Sequence, residues 1–333
     1  MSSSYDRDRR LQLLGMADDA VLPFEVKSLG VRGRVVRLGD TVADILARHN
    51  YPPSVSALLA EAVTLTAMLG STLKFEGKFI LQANSDGPVD MLVADFTTPG
   101  QMRGYAHFDL DAVEALEDSG EADASALLGE GYLAMTVDQG DHMERYQGVV
   151  PLDGASLSEA ANLYFQQSEQ LPTDVRLAAG PIVTSGEAGG ENWRAGGIMI
   201  QHLPDDGEPS PIALSSGDVP EDYEDLMDEQ EEDDRWVRGR LLLATVEDHE
   251  LLDPTLEPER LLYRLFHEDG VVAYPSSAIT RHCLCSRSRV ADLLRSFPQE
   301  DLADMIEDGR ITVTCEFCST DYVFDPGEIV RTH

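Results

Sequence analysis

The sequence predicts an α+β protein with three parts: an N-terminal α+β core domain, a helical linker, and a small C-terminal domain of helices plus a β-hairpin. Three observations lead there. Short alternating strands and three helical stretches fill residues 21–204. A run of acidic residues with no Lys or Arg breaks that pattern over 205–234. All four cysteines of the 333-residue chain fall beyond residue 282.

Residues 1–20 are polar and read as a flexible tail. Val31–Leu38 fits a strand, and Asp40–His49 a short helix with Val42, Ile45 and Leu46 on one face. Pro52-Pro53 ends that helix. Val55–Leu73 is apolar nearly all round, which predicts a central, buried helix. Phe79–Ala83 and Met91–Asp95 alternate as strands about the turn Ser85-Asp86-Gly87-Pro88. Met102–Phe108, Tyr132–Val137 and Arg145–Val150 continue the β-rich region. Leu157–Gln167 reads as a helix, and Pro172–Leu177 and Ala195–Leu203 as further strands, closing a core over 21–204.

The stretch 205–234 is expected to be a solvated, disordered insertion. Apolar periodicity returns at Trp236. Leu241–Val246 and Leu261, Leu262, Leu265, Phe266 predict two amphipathic linker helices within 235–282, with Pro258 near the start of the second. They cannot form a core alone and must pack on something. In the last segment, 283–333, Val290, Leu293, Leu294 and Phe297 have helical spacing. A second short helix carries Leu302, Met305 and Ile306 and ends at Gly309. Ile311, Val313 and Cys315 alternate as a strand, with Tyr322–Phe324 returning as its hairpin partner.

Charge and composition exclude several functions. With 25 Lys+Arg against 61 Asp+Glu, the formal charge is −36. Phosphate backbones and anionic lipid surfaces repel such a chain. The longest apolar stretch, 55–73, carries Glu61 and several Thr and Ser, so no membrane span is expected, and no N-terminal apolar run resembles a signal peptide. The expected compartment is the cytoplasm, where thiols stay reduced.

There, two close cysteine pairs, Cys283-Leu284-Cys285 and Cys315-Glu316-Phe317-Cys318, read as a tetrahedral zinc site. His267 and His282 lie nearby and could be ligands, but with four thiolates present they read as surface groups or neighbours of the site. About fifty residues with few large apolar side chains make too small a core to stand alone, so the metal must supply much of the stability. The first pair is Cys-x-Cys rather than the Cys-x-x-Cys of zinc ribbons. A disulfide there would close a very short, strained loop, and strained disulfides are easily reduced again. The site can therefore be a permanent structural zinc or one that oxidation dismantles.

Cys283–Arg289, Cys315–Cys318 and Tyr322-Val323-Phe324 resemble the zinc domain of the 33-kDa heat-shock protein family, redox-regulated holdase chaperones of the bacterial cytoplasm. Arg48–Pro53, Leu73–Gly77, Asp86-Gly87-Pro88, Arg103-Gly104-Tyr105 and Ala195–Gln201 resemble that family's core-domain motifs, in the same order. The resemblance implies that Cys283, Cys285, Cys315 and Cys318 hold one zinc in a reduced, inactive protein. It implies that peroxide with mild heat, or hypochlorous acid, forms the disulfides Cys283–Cys285 and Cys315–Cys318, that zinc leaves, and that the zinc domain and linker unfold. The protein then dimerises and holds unfolding proteins without ATP, and reduction passes these clients to ATP-dependent chaperones. The acidic stretch and the long N-terminal tail depart from the family pattern.

The residues themselves leave competitors. A constitutive zinc-ribbon adaptor would keep its metal under peroxide. A thiol–disulfide oxidoreductase wants its cysteine pair at a helix start in a βαβ unit, whereas Cys315 and Cys318 lie between strands. No hydrolase setting is visible: His49, His107 and His142 are scattered, and Gly186–Glu191 lacks the Lys-Ser/Thr of a nucleotide loop. No catalytic residue and no enzymatic activity are expected.

Overall fold

The computed structural model describes residues 18–140, 145–183, 191–203 and 233–329. The predicted tail and the acidic insertion lie almost wholly outside these residues, as does His142.

The strands of the core are β1 (Ala20–Val26), β2 (Val31–Leu38), β3 (Lys78–Ser85), β4 (Met91–Thr97), β5 (Gln101–His107), β6 (Gly131–Asp138), β7 (Tyr146–Pro151), β8 (Thr173–Val183) and β9 (Glu191–His202). Its helices are α1 (Asp40–Leu46), α2 (Pro53–Gly70), α3 (Leu110–Ser119), α4 (Ala124–Leu128) and α5 (Leu157–Tyr164). The linker contributes α6 (Asp234–Leu243), α7 (Asp248–Leu252) and α8 (Pro258–Phe266), then three short strands, β10 (Val271–Ala273), β11 (Ser277–Ala278) and β12 (Thr280–Arg281). The C-terminal unit holds α9 (Arg287–Leu294), α10 (Gln299–Asp304), β13 (Ile306–Glu307), β14 (Arg310–Thr314), β15 (Asp321–Phe324) and α11 (Pro326–Ile329).

Helix α2 organises the core. Pro53 occupies its first turn, where a missing N–H costs nothing. The helix is long and apolar enough to cross a membrane by length and composition, yet it is the buried axis of the fold. On one side it packs against β2, β8 and β9, and on the other against β3, β4 and β5. Val55, Leu59, Val63, Leu65 and Met68 are sealed between the two sheets.

The first sheet runs β10–β1–β2–β9–β8, with β11 also paired to β1. The second runs β12–β5–β4–β3–β6–β7, antiparallel except where β12 lies parallel to β5. The sequence marks no strand at the start of the core; the buried run Val21, Leu22, Phe24, Val26 forms β1, paired with β2 on one side and with β10 and β11 on the other. Helices α3 and α4 are also new. Each is short and starts on an aspartate that accepts a backbone N–H, Asp109 from Ala112 at 3.1 Å and Asp123 from Ala126 at 2.8 Å. The predicted helix 157–167 is regular only to Tyr164 and ends in one wide turn.

The linker is helical only in its first part. Helices α6 to α8 lie on the face of the first sheet that points away from α2. Leu22, Phe24, Val26, Val31, Val35, Ile198 and Ile200 of the sheet meet Trp236, Leu243, Leu251, Leu261, Leu265 and Phe266 of the linker in one apolar layer. Phe24 and Phe266 stack with ring centres 5.8 Å apart. Two buried arginines clamp the α7–α8 turn from below. Arg37 donates to the carbonyls of Asp253 and Leu256, and Arg194 donates to Leu252 O at 2.8 Å while pairing with Asp18. Gly196 is required here, because a Cβ would lie 2.5 Å from Leu251 O.

Residues 271–281 then leave helix for strand, which corrects the expectation of a helical linker to residue 282. β10 and β11 pair with β1, Ile279 sinks into the main core at 2 % exposure, and β12 joins β5 of the other sheet. Gly100 makes room for this crossing: a Cβ there would lie 2.1 Å from Ala278 O.

The largely buried Glu61 of α2 gives a pH signature. Burial, with a smaller contribution from Asp248 of the linker, pushes its carboxyl from 4.5 up to about 7. The folded state therefore binds a proton that the unfolded chain has lost, and stability falls as pH rises from 4.5 through 7. Glu61→Gln is expected to stabilise the protein at pH 8 by about 2–3 kcal/mol and to do much less at pH 5. Urea midpoints at the two pH values check this, and an equal gain at both would refute it.

Candidate metal centre

The first cysteine pair follows β12 directly. Ile279 N–H donates to Asp19 O at 2.7 Å, and His282 N–H to Met102 O at 2.8 Å, so the chain is fixed to the core one residue before Cys283. After Cys285, Ser286 caps α9 by accepting from Arg289 N–H at 3.3 Å. The second pair forms the knuckle between β14 and β15. Cys318 and Ser319 N–H both donate to Cys315 O, at 3.2 and 2.8 Å, and Cys315 N–H donates to Thr320 O at 3.0 Å.

These two turns bring four sulfurs together from positions more than thirty residues apart. Cys283 and Cys285 Sγ are 3.2 Å apart, Cys285 and Cys318 Sγ 3.3 Å, and Cys283 and Cys315 Sγ 3.7 Å. All four atoms lie within 4.8 Å of one another. A tetrahedron with metal–sulfur bonds of about 2.3 Å has edges of about 3.8 Å, so the donor set fits a tetrahedral ion. The cysteines are free thiols, and the shortest contacts within and between the pairs are nearly equal, so distance does not select a disulfide pairing.

The thiols compete for charge. Burial pushes Cys283 up to about 12 and raises Cys315 as well. At Cys318 burial also raises, but hydrogen bonding to Thr320 and to the neighbouring cysteines outweighs it and brings the thiol down to about 6. Tyr322 donates to Cys285 Sγ at 3.1 Å. Four thiolates this close would need a cation among them, which a divalent metal would supply.

Around the cluster the unit has few apolar resources. Ala291, Leu294, Leu302, Ile311, Phe324 and Ile329 are its buried apolar core beside Cys318. Arg287 stitches α9 to the hairpin, donating to Val323 O at 2.6 Å, pairing with Glu328 and lying 4.3 Å over the Phe324 ring. The predicted hairpin is present as β14–β15, with β13 added at its edge.

His267 and His282 stand outside the sulfur cluster. His267 is exposed on the end of α8, and His282 is exposed beside Cys283. The cysteine pair between β14 and β15 has no βαβ setting. What local spacing could not reveal is where the core touches the knuckle. Phe317 lies edge-on to Tyr105 at 4.8 Å and 3.8 Å beneath the Arg103 guanidinium, and Ser319 Oγ is 3.1 Å from His49 Nδ1. His49 stacks on Tyr51 at 4.7 Å, and burial holds its pKa below the usual imidazole value. Both contacts come from motifs quoted above, Arg48–Pro53 and Arg103-Gly104-Tyr105.

Comparison with known proteins points one way. The family model described as "Hsp33 protein" matches residues 19–325. A protein of Caulobacter vibrioides named "33 kDa chaperonin" is 44% identical over 314 residues, covering 94% of this chain and 96% of its own. A protein of the same name from Photorhabdus laumondii is 35% identical over 312 residues, 93% of this chain and 94% of that one. The crystal structure of the heat shock protein 33 homolog of Thermotoga maritima superposes with a TM-score of 0.71, covering 93% of this chain and 96% of that one at 23% identity, a likeness of fold.

Proposed function

This chain belongs to the Hsp33 family, and on that footing we propose that it is a redox-regulated, ATP-independent holdase. A chaperone of this family binds unfolded or partly unfolded proteins. The finer reading assigns five segments: a tail (1–20), the chaperone core (21–204), the acidic insertion (205–234), the linker (235–282) and a zinc-binding switch (283–333). Cys283, Cys285, Cys315 and Cys318 are the zinc ligands, and zinc supplies the positive charge that lets four thiolates coexist. The protein works in the cytoplasm and catalyses no reaction.

One observation carries the proposal. The apolar face of the first sheet is covered by the linker, and the linker ends one residue before Cys283. Oxidation takes two electrons from each thiolate pair, and each peroxide consumed draws two protons from solvent and leaves as two waters. The family pairing gives Cys283–Cys285 and Cys315–Cys318. Thiols joined as disulfides no longer serve as thiolate ligands, and a unit with so few buried apolar side chains does not hold without its metal. The linker then loses its C-terminal anchor and the apolar face opens to clients. Self-association of that same face accounts for a dimer in the oxidised state. Reduction restores the ligands and hands clients to ATP-dependent chaperones.

The test follows zinc release to a chromogenic chelator during peroxide treatment at mildly raised temperature, with aggregation of a client read by light scattering in the same samples. Zinc release and suppression of aggregation are expected together, both reversed by thiol reductant. Zinc that stays bound with no effect on aggregation would replace this reading by a constitutive adaptor.

A further inference from the structure

Strand β5 carries both halves of the cysteine cluster. On its edge, Gln101 and Met102 pair with Thr280 and Arg281 of β12, which delivers Cys283. From the same strand, Arg103 and Tyr105 hold Phe317, the residue between Cys315 and Cys318. Arg103 is the centre of this arrangement. Its cross-strand partner is Asp95, 4 % exposed, which takes its Nε at 2.7 and 2.9 Å and its Nη2 at 2.6 Å. So fixed, the guanidinium has one face over the Phe317 ring at 3.8 Å, while its neighbour on β5, Met102, accepts from His282 N–H at 2.8 Å, one residue before Cys283.

That position has a physical consequence. A divalent ion held by four thiolates carries a net charge of −2, in a chain already at −36. A cation anchored on the core beside that centre lowers its energy only while the two are in contact. The planar guanidinium also gains from stacking on the aromatic ring, which a lysine ammonium does not match in the same geometry.

We propose that Arg103 is a positioning residue of the metal switch: held by Asp95, it clamps the Cys283 side and the Phe317 knuckle onto β5, so that loss of the metal and detachment of β12 are one event. The core is then part of the switch rather than the passive surface beneath it. The inference rests on Cys283, Cys285, Cys315 and Cys318 being the zinc ligands, and needs no statement about clients or oxidants.

The experiment uses the full-length, reduced, zinc-loaded protein without peroxide or client. Arg103→Ala is avoided because it would strand the buried Asp95. Arg103→Lys keeps the charge but loses the flat contact with the ring. Phe317→Ala removes the ring and leaves the core and all four cysteines untouched. Two quantities are read: the rate of zinc transfer to a chelator, and hydrogen exchange at the Thr280 and His282 amides, which donate to Gly100 and Met102 of the core. In both variants zinc transfer is expected to speed up about tenfold, the lower end of what loss of an outer partner costs a metal site. Exchange at the two amides is expected to accelerate while zinc is still bound.

Unchanged zinc transfer and unchanged exchange in both variants would overturn the proposal. Faster zinc transfer with unchanged exchange at Thr280 and His282 would also overturn it, since the effect would then stop at the knuckle. A parent protein that binds no zinc would defeat the ligand assignment itself. A parent that binds zinc but shows no peroxide-gated chaperone activity would defeat the proposed function and leave the clamp measurable.

Discussion

Stripping zinc from the reduced protein is expected to unfold residues 283–329 and to leave the α2-centred core folded. The unit offers six buried apolar side chains beside Cys318, and α9, α10 and α11 are eight, six and four residues long. Helices that short do not persist without tertiary support, and a core that small does not supply it. Structural zinc in small peptides is worth on the order of 10–16 kcal/mol, far more than six such side chains leave after ordering the chain. Burial moreover raises the Cys283 thiol while hydrogen bonding lowers that of Cys318, so the two favour different protonation states when no cation joins them. Hydrogen exchange after chelation is the direct check. Amides of β14, β15 and α9 should lose their protection, while those of α2, β3 and β4 keep theirs. Cys315→Ser combined with Cys318→Ser should show the same exchange pattern with no chelator and no tightly bound zinc. Retained protection in β14–β15 after complete zinc removal would show that the metal is ornamental to the fold.

The second large effect is expected at Phe266. It is fully buried, stacks on Phe24 and sits in the layer that joins the linker to the first sheet. Truncating a buried phenylalanine costs about 3–5 kcal/mol, and a buried carboxylate in its place costs more. Phe266→Asp should therefore lift the linker off the sheet although nothing at the cysteines has changed. The predicted phenotype is the coexistence of two properties that the proposed switch keeps apart: full zinc content under reducing conditions, and suppression of client aggregation without peroxide. Zinc content by metal analysis and light scattering with a client, both in reductant, decide it. If the variant keeps its zinc, exposes the linker to protease and still needs peroxide to hold clients, the sheet face is not the client surface.

How much of this could be read from residues alone follows from how local each signal is. Helix α2 announces itself, because a stretch so apolar between Pro53 and Lys74 can only be central. The hairpin β14–β15 and the sulfur cluster are equally legible, since the second pair and the hairpin share one short segment and cysteine occurs nowhere earlier. Strand β1 was hidden by Pro23 and by the polar residues before it, although its alternate residues are fully buried. Helix α3 is acidic and buries only Val113, and α4 is five residues long and buries only Leu127 and Leu128, too few for a periodic signal. β10 to β12 are two or three residues long, and their partners lie about 180 to 260 positions earlier, so no local pattern could mark them. The contacts of Arg103 and His49 with the knuckle are hidden for the same reason: only the folded chain sets residues 49 and 103 beside residues 317 and 319.

The short segment 271–281 closes two different sheets. β10 and β11 cover the outer side of β1, and β12 covers the outer side of β5. Each outer strand of a sheet otherwise presents a row of unsatisfied backbone N–H and C=O groups. A single departure of these eleven residues thus turns two finished borders into two open ones, on opposite sides of α2. Such borders recognise any extended backbone by main-chain hydrogen bonding, whatever its side chains, so a surface uncovered by that departure would have a generic polar component beside its apolar one.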